Sequence, residues 1–140
     1  MLTTKLIHPE ILGALGKLGH GSQVLIADGN YPFLTGSHPF AQRVYLNLTP
    51  GIITATDVLS VLIQTIPIEA AIVMLPDSKS EPPIFDEFRH ILPREVAIKP
   101  LLRAEFYDAA RDTNTGLVIA TGEQRIYGNI LLTLGFVMPK

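Results

Sequence analysis

The 140-residue sequence predicts an α/β protein, a three-layer, mostly parallel sheet with helices on both faces. Three observations carry this. Short apolar runs alternate with stretches of helical periodicity along the whole chain. The apolar runs lack the in/out alternation of a half-solvated strand, so they belong in a sheet covered on both sides. Hydrophobic residues make up 47% and charged residues 17%, which places the chain among globular and not disordered sequences. The length fits a single domain over residues 1–140, with no internal repeat and no low-complexity tract.

Pro9 to Leu18 reads as the first helix. Ile11, Leu12, Leu15 and Leu18 fall on one stripe. Pro9 suits a first turn, and Gly19 stands where a left-handed cap would fall. Val24-Leu25-Ile26-Ala27 is a strand buried on both faces, closed by Asp28-Gly29-Asn30. Residues 29–42 show no period and read as a long loop. Arg43 to Leu48 is the next strand. Thr54-Ala55-Thr56-Asp57 resembles a capping box with Asp in place of Glu or Gln. Val58, Leu59, Leu62, Ile63 and Ile66 follow it at helical spacing.

Ala70 to Leu75 is a second doubly buried strand, and Ser78 to Pro83 a polar, Pro-rich loop. Ile84, Phe85, Phe88, Ile91 and Leu92 mark a third helix. Val96-Ala97-Ile98 reads as a short strand, and Arg103 to Arg111 as a fourth helix. Leu117 to Thr121 and Asn129 to Val137 read as the last strands. In sheets of this kind ligands collect beyond the carboxyl ends of strands, so residues placed there are the first candidates for chemistry.

Composition excludes several classes. Net charge is -2 with no basic stripe, which argues against nucleic acid and anionic membrane as partners. The chain has no cysteine, so thiolate nucleophiles, disulfides and Cys-ligated zinc are out. No apolar run approaches the ~20 residues that span a bilayer. The first twenty residues match neither a signal nor a transit peptide, and the expected location is cytoplasmic. No His-Glu-x-x-His pattern, dinucleotide fingerprint, P-loop or G-x-S-x-G elbow is present. The expectation is therefore no metal and no cofactor.

Asp28 closes a buried strand. It is either a ligand contact or a turn-forming Asp that caps nearby N–H groups. His20 lies between two glycines past a helix, uncrowded, as an acid/base group or as a capping histidine. His8, at a helix start, and His90, within an amphipathic helix, offer less, and His38 sits in the long loop with nothing specific to support it. Thr121 to Asn129 packs two amides, a phenol, a carboxylate and a guanidinium between two apolar strands. That set can engage several hydroxyls at once, or form an ordinary polar connection.

Gly19-His20-Gly21, the apolar strand ending in Asp28, Thr121-Gly122-Glu123 and Tyr127-Gly128-Asn129-Ile130-Leu131-Leu132 with Gly135 together resemble the D-ribose pyranase / L-fucose mutarotase family, nearer its fucose branch. The likeness runs from about Leu6 to Val137. The resemblance implies an isomerase that interconverts anomers or ring forms of a free monosaccharide such as fucose or ribose. It implies His20 as acid/base with Asp28 beside it, Tyr127 as a second proton carrier, and Asp28, Arg103, Tyr127 and Asn129 as sugar contacts. It also implies a homo-oligomer, a ring-shaped decamer among the forms, with sites completed by a neighbouring subunit. The 47% hydrophobic content is consistent with a large subunit interface. The loop after Asp28, Gly29-Asn30-Tyr31-Pro32-Phe33-Leu34, departs from the fucose branch, which leaves the sugar open. A non-catalytic sugar-binding accessory of carbohydrate uptake is the alternative use of the same pocket.

Overall fold

The computed structural model describes residues 1–140. Its elements are α1 (Pro9–Leu15), β1 (Gln23–Ala27), β2 (Gln42–Tyr45), α2 (Ala55–Leu62), β3 (Ile68–Leu75), α3 (Ile84–Ile91), β4 (Ile98–Leu102), α4 (Arg103–Ala110), β5 (Thr115–Ala120) and β6 (Ile130–Leu134). One six-stranded sheet takes the order β2-β5-β1-β6-β3-β4. Five strands run parallel. β6 alone is antiparallel, and it lies between β1 and β3. The sheet is therefore mixed but mostly parallel, as the apolar runs predict.

Helices cover both faces unequally. Val24 and Ile26 point into a cluster of 23 buried residues with α1, α2 and α3, including Phe85 and Phe88. Their alternating neighbours Leu25 and Ala27 join a cluster of nine with Phe106 and Ala110 of α4. This is the period-two geometry of a strand with a core on each side. Truncating a wholly buried ring such as Phe88 to Ala would cost about 3–5 kcal/mol. Arg43 organises the loop over the α4 face. Its guanidinium donates to the carbonyls of Phe33, Leu34, His38 and Ala41 and to the Ser37 hydroxyl.

Several boundaries differ from the sequence reading. Helix α1 stops at Leu15 and not Leu18, because the chain tightens into three-residue turns there, with Lys17 N–H on Ala14 and Leu18 N–H on Leu15. The positive φ expected near Gly19 falls at Gly21 (+84°), third residue of a turn closed by Ser22 N–H on the Gly19 carbonyl. The Arg43–Leu48 strand is β2, Gln42–Tyr45, and β3 leaves one face of Ile68 to Ile72 partly open. The strand placed at Val96–Ile98 begins only at Ile98, since it pairs with Ala71 to Leu75. It accommodates Pro100 because it is an edge strand. The box at Thr54 is real: its hydroxyl accepts Asp57 N–H and Asp57 accepts Thr54 N–H, both at 3.1 Å.

Candidate functional site

β1, β3 and β4 run parallel and end at the same edge, where α4 begins and the 121–129 loop returns the chain into β6. A cavity of about 350 Å³ opens there, lined by Asp28, Asn30, Tyr31, Met74, Arg103, Tyr107, Ile126, Tyr127 and Asn129. Asp28 follows β1, Met74 lies at the end of β3, and Arg103 opens α4. This is the edge where parallel sheets bind ligands.

Asp28 is 4% exposed and heavily bonded. Asn30 N–H donates to its Oδ1 at 3.0 Å, and Gly128 N–H donates to Oδ2 at 3.2 Å. Asn129 accepts the Asp28 N–H on Oδ1 at 2.7 Å and donates from Nδ2 to Asp28 Oδ2 at 3.1 Å. Burial pushes the Asp28 carboxyl above its ordinary value, and the donors of Asn30, Gly128 and Asn129 only partly offset this. A carboxyl so held can take a proton more readily than a free one. Asn129 spends one N–H and one lone pair on Asp28, leaving one of each for a ligand.

Tyr127 adopts φ +61°, a left-handed conformation uncommon outside glycine, and this turns the chain back from the loop into β6. Its side chain lines the cavity beside Arg103, whose guanidinium is held above its ordinary value first by the Tyr127 hydroxyl. Arg103 is otherwise free of ion pairs. The lining also includes apolar and aromatic surface: Met74, Ile126 and the Tyr31–Tyr107 pair, with ring centroids 5.4 Å apart. Polar groups together with aromatic and aliphatic surface suit a small polyhydroxylated ring.

His20 is elsewhere. Its Nε2 lies 3.0 Å from Glu69 Oε2 and its ring meets Phe136 edge-on at 5.2 Å, at the start of β1 and β3. Asp28 is at the other end of β1. At roughly 3.3 Å per residue, Gln23 and Asp28 alone are about 16 Å apart. The expectation that His20 stands beside Asp28 is therefore corrected for a single protomer: the strand between them is extended and holds them at opposite edges. Asp28, Arg103, Tyr127 and Asn129 do come together. Two of the other histidines serve locally, His8 accepting Ile11 N–H as an N-cap and His38 accepting Phe40 N–H.

The 121–129 segment divides its labour. Tyr127 and Asn129 face the cavity, while Glu123 and Arg125 bond each other, with Nε–Oε1 at 2.8 Å and Nη2–Oε2 at 2.9 Å. Met74, Tyr107 and Ile126 were not singled out by sequence reasoning, whereas Asn30 and Tyr31 lie in the loop after Asp28 on which the sugar's identity was left to depend. The position of Asn30 and Tyr31 just past β1 was an available signal, whereas Tyr107 needed the docking of α4. No three His, Asp or Glu side chains converge as a metal site. A separate groove of about 360 Å³ between the N-terminal segment and α2 is lined mainly by aliphatic side chains such as Leu6, Ile11 and Val58, and gathers no convergent polar set.

A family model described as the RbsD / FucU transport protein family matches residues 1–137. The chain belongs to this family. Among its RbsD/FucU relatives, the fucose mutarotase of Homo sapiens is 28% identical, with 93% of this chain and 89% of the relative covered. The D-ribose pyranase of Paracidovorax citrulli is 30% identical, covering 96% and 98%. The crystal structure of FucU from Bifidobacterium longum superimposes with a TM-score of 0.80 at 30% identity, over 94% of this chain and 96% of that one. The mixed sheet and its helices are thus the RbsD/FucU fold. No helix here is long and apolar enough to cross a membrane.

Proposed function

We propose that this protein is a sugar isomerase that interconverts anomers or ring forms of a free aldose, fucose-like or ribose-like, in the cytoplasm. The observation that carries the reading is the convergence of Asp28, Arg103, Tyr127 and Asn129 on one cavity in a chain whose relatives include a fucose mutarotase and a D-ribose pyranase.

Opening a cyclic hemiacetal moves two protons. The anomeric hydroxyl loses one and the ring oxygen gains one; the aldehyde end rotates, and closure reverses both transfers. Asp28, already bonded to two backbone N–H groups, is suited to accept a sugar hydroxyl. Tyr127 and Arg103 sit together where a phenol can pass a proton while a guanidinium holds the ring. Positioned acid–base groups accelerate such steps about 10²–10⁴-fold.

His20 enters this scheme from a second subunit. The ring lies at the opposite ends of the strands, paired with Glu69, and with 56% of its side chain exposed it is accessible to the Asp28 cavity of a neighbouring copy. A homo-oligomer, a ring-shaped decamer among the forms, supplies that arrangement. The family's description as transport proteins favours a second reading, a sugar-binding accessory of uptake. Exchange spectroscopy on fucose and ribose separates the two: the isomerase broadens or transfers saturation between anomer signals in proportion to protein. Unchanged exchange with saturable sugar binding would overturn the isomerase reading in favour of the accessory.

A further inference from the structure

The acid–base scheme leaves Arg125 without a task, yet it is among the most heavily bonded side chains near the cavity. Its fork grips both oxygens of Glu123. Nη2 also reaches the Thr56 hydroxyl of α2 at 3.0 Å, and Nη1 pairs with Glu87 of α3. The Arg125 N–H donates to Glu123 Oε1 at 3.0 Å. Glu123 is only 3% exposed, and its Oε2 accepts the Ala55 N–H of α2 at 3.1 Å. Glu123 and Arg125 therefore fasten the loop to two helices on the far side of the sheet. Isolated exposed ion pairs contribute little. This one is a planar fork on a buried carboxylate whose other lone pairs are also bonded, the arrangement in which Arg outperforms a point charge.

The chain that leaves this clamp is the site. Two residues on, Tyr127 holds φ +61°, a conformation that persists only where the surroundings enforce it. Gly128 follows, packed so closely on the clamp that a Cβ there would lie 2.8 Å from Glu123 Cγ and 2.9 Å from the Arg125 carbonyl. Its N–H is one of the donors to Asp28. Ile126, between clamp and Tyr127, is exposed and anchors nothing. We infer that Arg125 is a positioning residue for the sugar site: bonded to Glu123, Thr56 and Glu87, it holds the 126–129 turn so that Tyr127 and the Gly128 N–H meet the substrate and Asp28 correctly. This rests on the isomerase reading above.

The test compares Arg125→Met with the native protein well below its melting temperature. The expected result is a folded protein whose anomer exchange falls roughly ten- to hundredfold, since small misplacements of reacting groups cost that much. The loss should lie in kcat more than in KM, and the Gly128 amide should exchange with solvent faster while Val118 and Leu131 amides do not change. Arg125→Met leaves Glu123 buried and unpaired, so Arg125→Met/Glu123→Gln guards against loss of folding; it should fold and remain slow. Either folded variant with native kcat, KM and Gly128 exchange would overturn the inference. Absence of anomer exchange in the native protein would instead overturn the isomerase reading on which it stands.

Discussion

Asp28 and Asn129, 101 residues apart, bond each other twice: the Asn129 amide oxygen takes the Asp28 N–H while its nitrogen donates to the Asp28 carboxylate. This pair joins the end of β1 to the start of the antiparallel β6. Asn129→Ala removes both bonds and leaves a buried N–H unpaired, which costs about 1–3 kcal/mol. The expected outcome is a lower melting temperature together with sugar affinity weakened roughly tenfold or more, since Asp28 then loses its fixed orientation. Calorimetric titration and thermal melting of the variant check this. Native affinity in Asn129→Ala would show that the amide serves the sheet alone.

His20 and Asp28 flank opposite ends of β1, and this makes the proposed sharing of a site between subunits measurable. His20→Ala should fold normally because the ring is exposed, and should slow anomer exchange by about 10²–10⁴-fold while binding largely survives. Asp28→Asn should be slow for its own reason. Mixing the two inactive proteins under conditions that exchange subunits should restore part of the activity, since some sites then pair a native His20 with a native Asp28. Mixtures as inactive as their components, or a scattering mass of 15.3 kDa, would remove the neighbouring subunit from the mechanism.

Glu123 predicts a pH dependence of stability. Burial pushes its carboxyl up, but the Arg125 guanidinium and the Arg125 and Ala55 N–H groups outweigh this and hold it below its ordinary value of 4.5. A depressed folded value means stability that is present above 4.5 and lost as pH falls through the folded value. Asp28 acts oppositely: its raised value favours the fold most below 3.8, and this contribution fades as pH rises through the folded value. Melting temperatures measured from about pH 6 to about pH 3 should therefore fall less steeply for Glu123→Gln than for the native protein, and more steeply for Asp28→Asn. Parallel curves for all three would contradict the assignment.

The His, Asp and Glu side chains form no metal-binding group, and the proposed proton transfers use side chains alone. Treatment with EDTA is expected to leave anomer exchange at its native rate. Activity lost on chelation and restored by zinc or manganese would place an ion in the reaction.

Local signals were legible in the sequence alone. The capping box at Thr54 and Asp57 closes within four residues, and the short apolar run Val24 to Ala27, ended by the turn residues Asp28-Gly29-Asn30, reads as a strand covered on both sides. Asp28, Arg103, Tyr127 and Asn129 were legible as a set through resemblance to a family. Even the separation of His20 from Asp28 was implicit, since an extended strand lay between them. What needed the tertiary structure was pairing at a distance. Nothing local marks β6 as antiparallel, because a buried run reads the same in either direction. Glu123 and Arg125 look like ligand groups until α2 and α3 pack beside them and take up their bonds. Asn129 reads as a sugar contact from the family resemblance, and only the sheet shows that it also braces Asp28. A side chain's partners depend on which elements the shared core brings together, and that is a property of the whole chain, not of any segment.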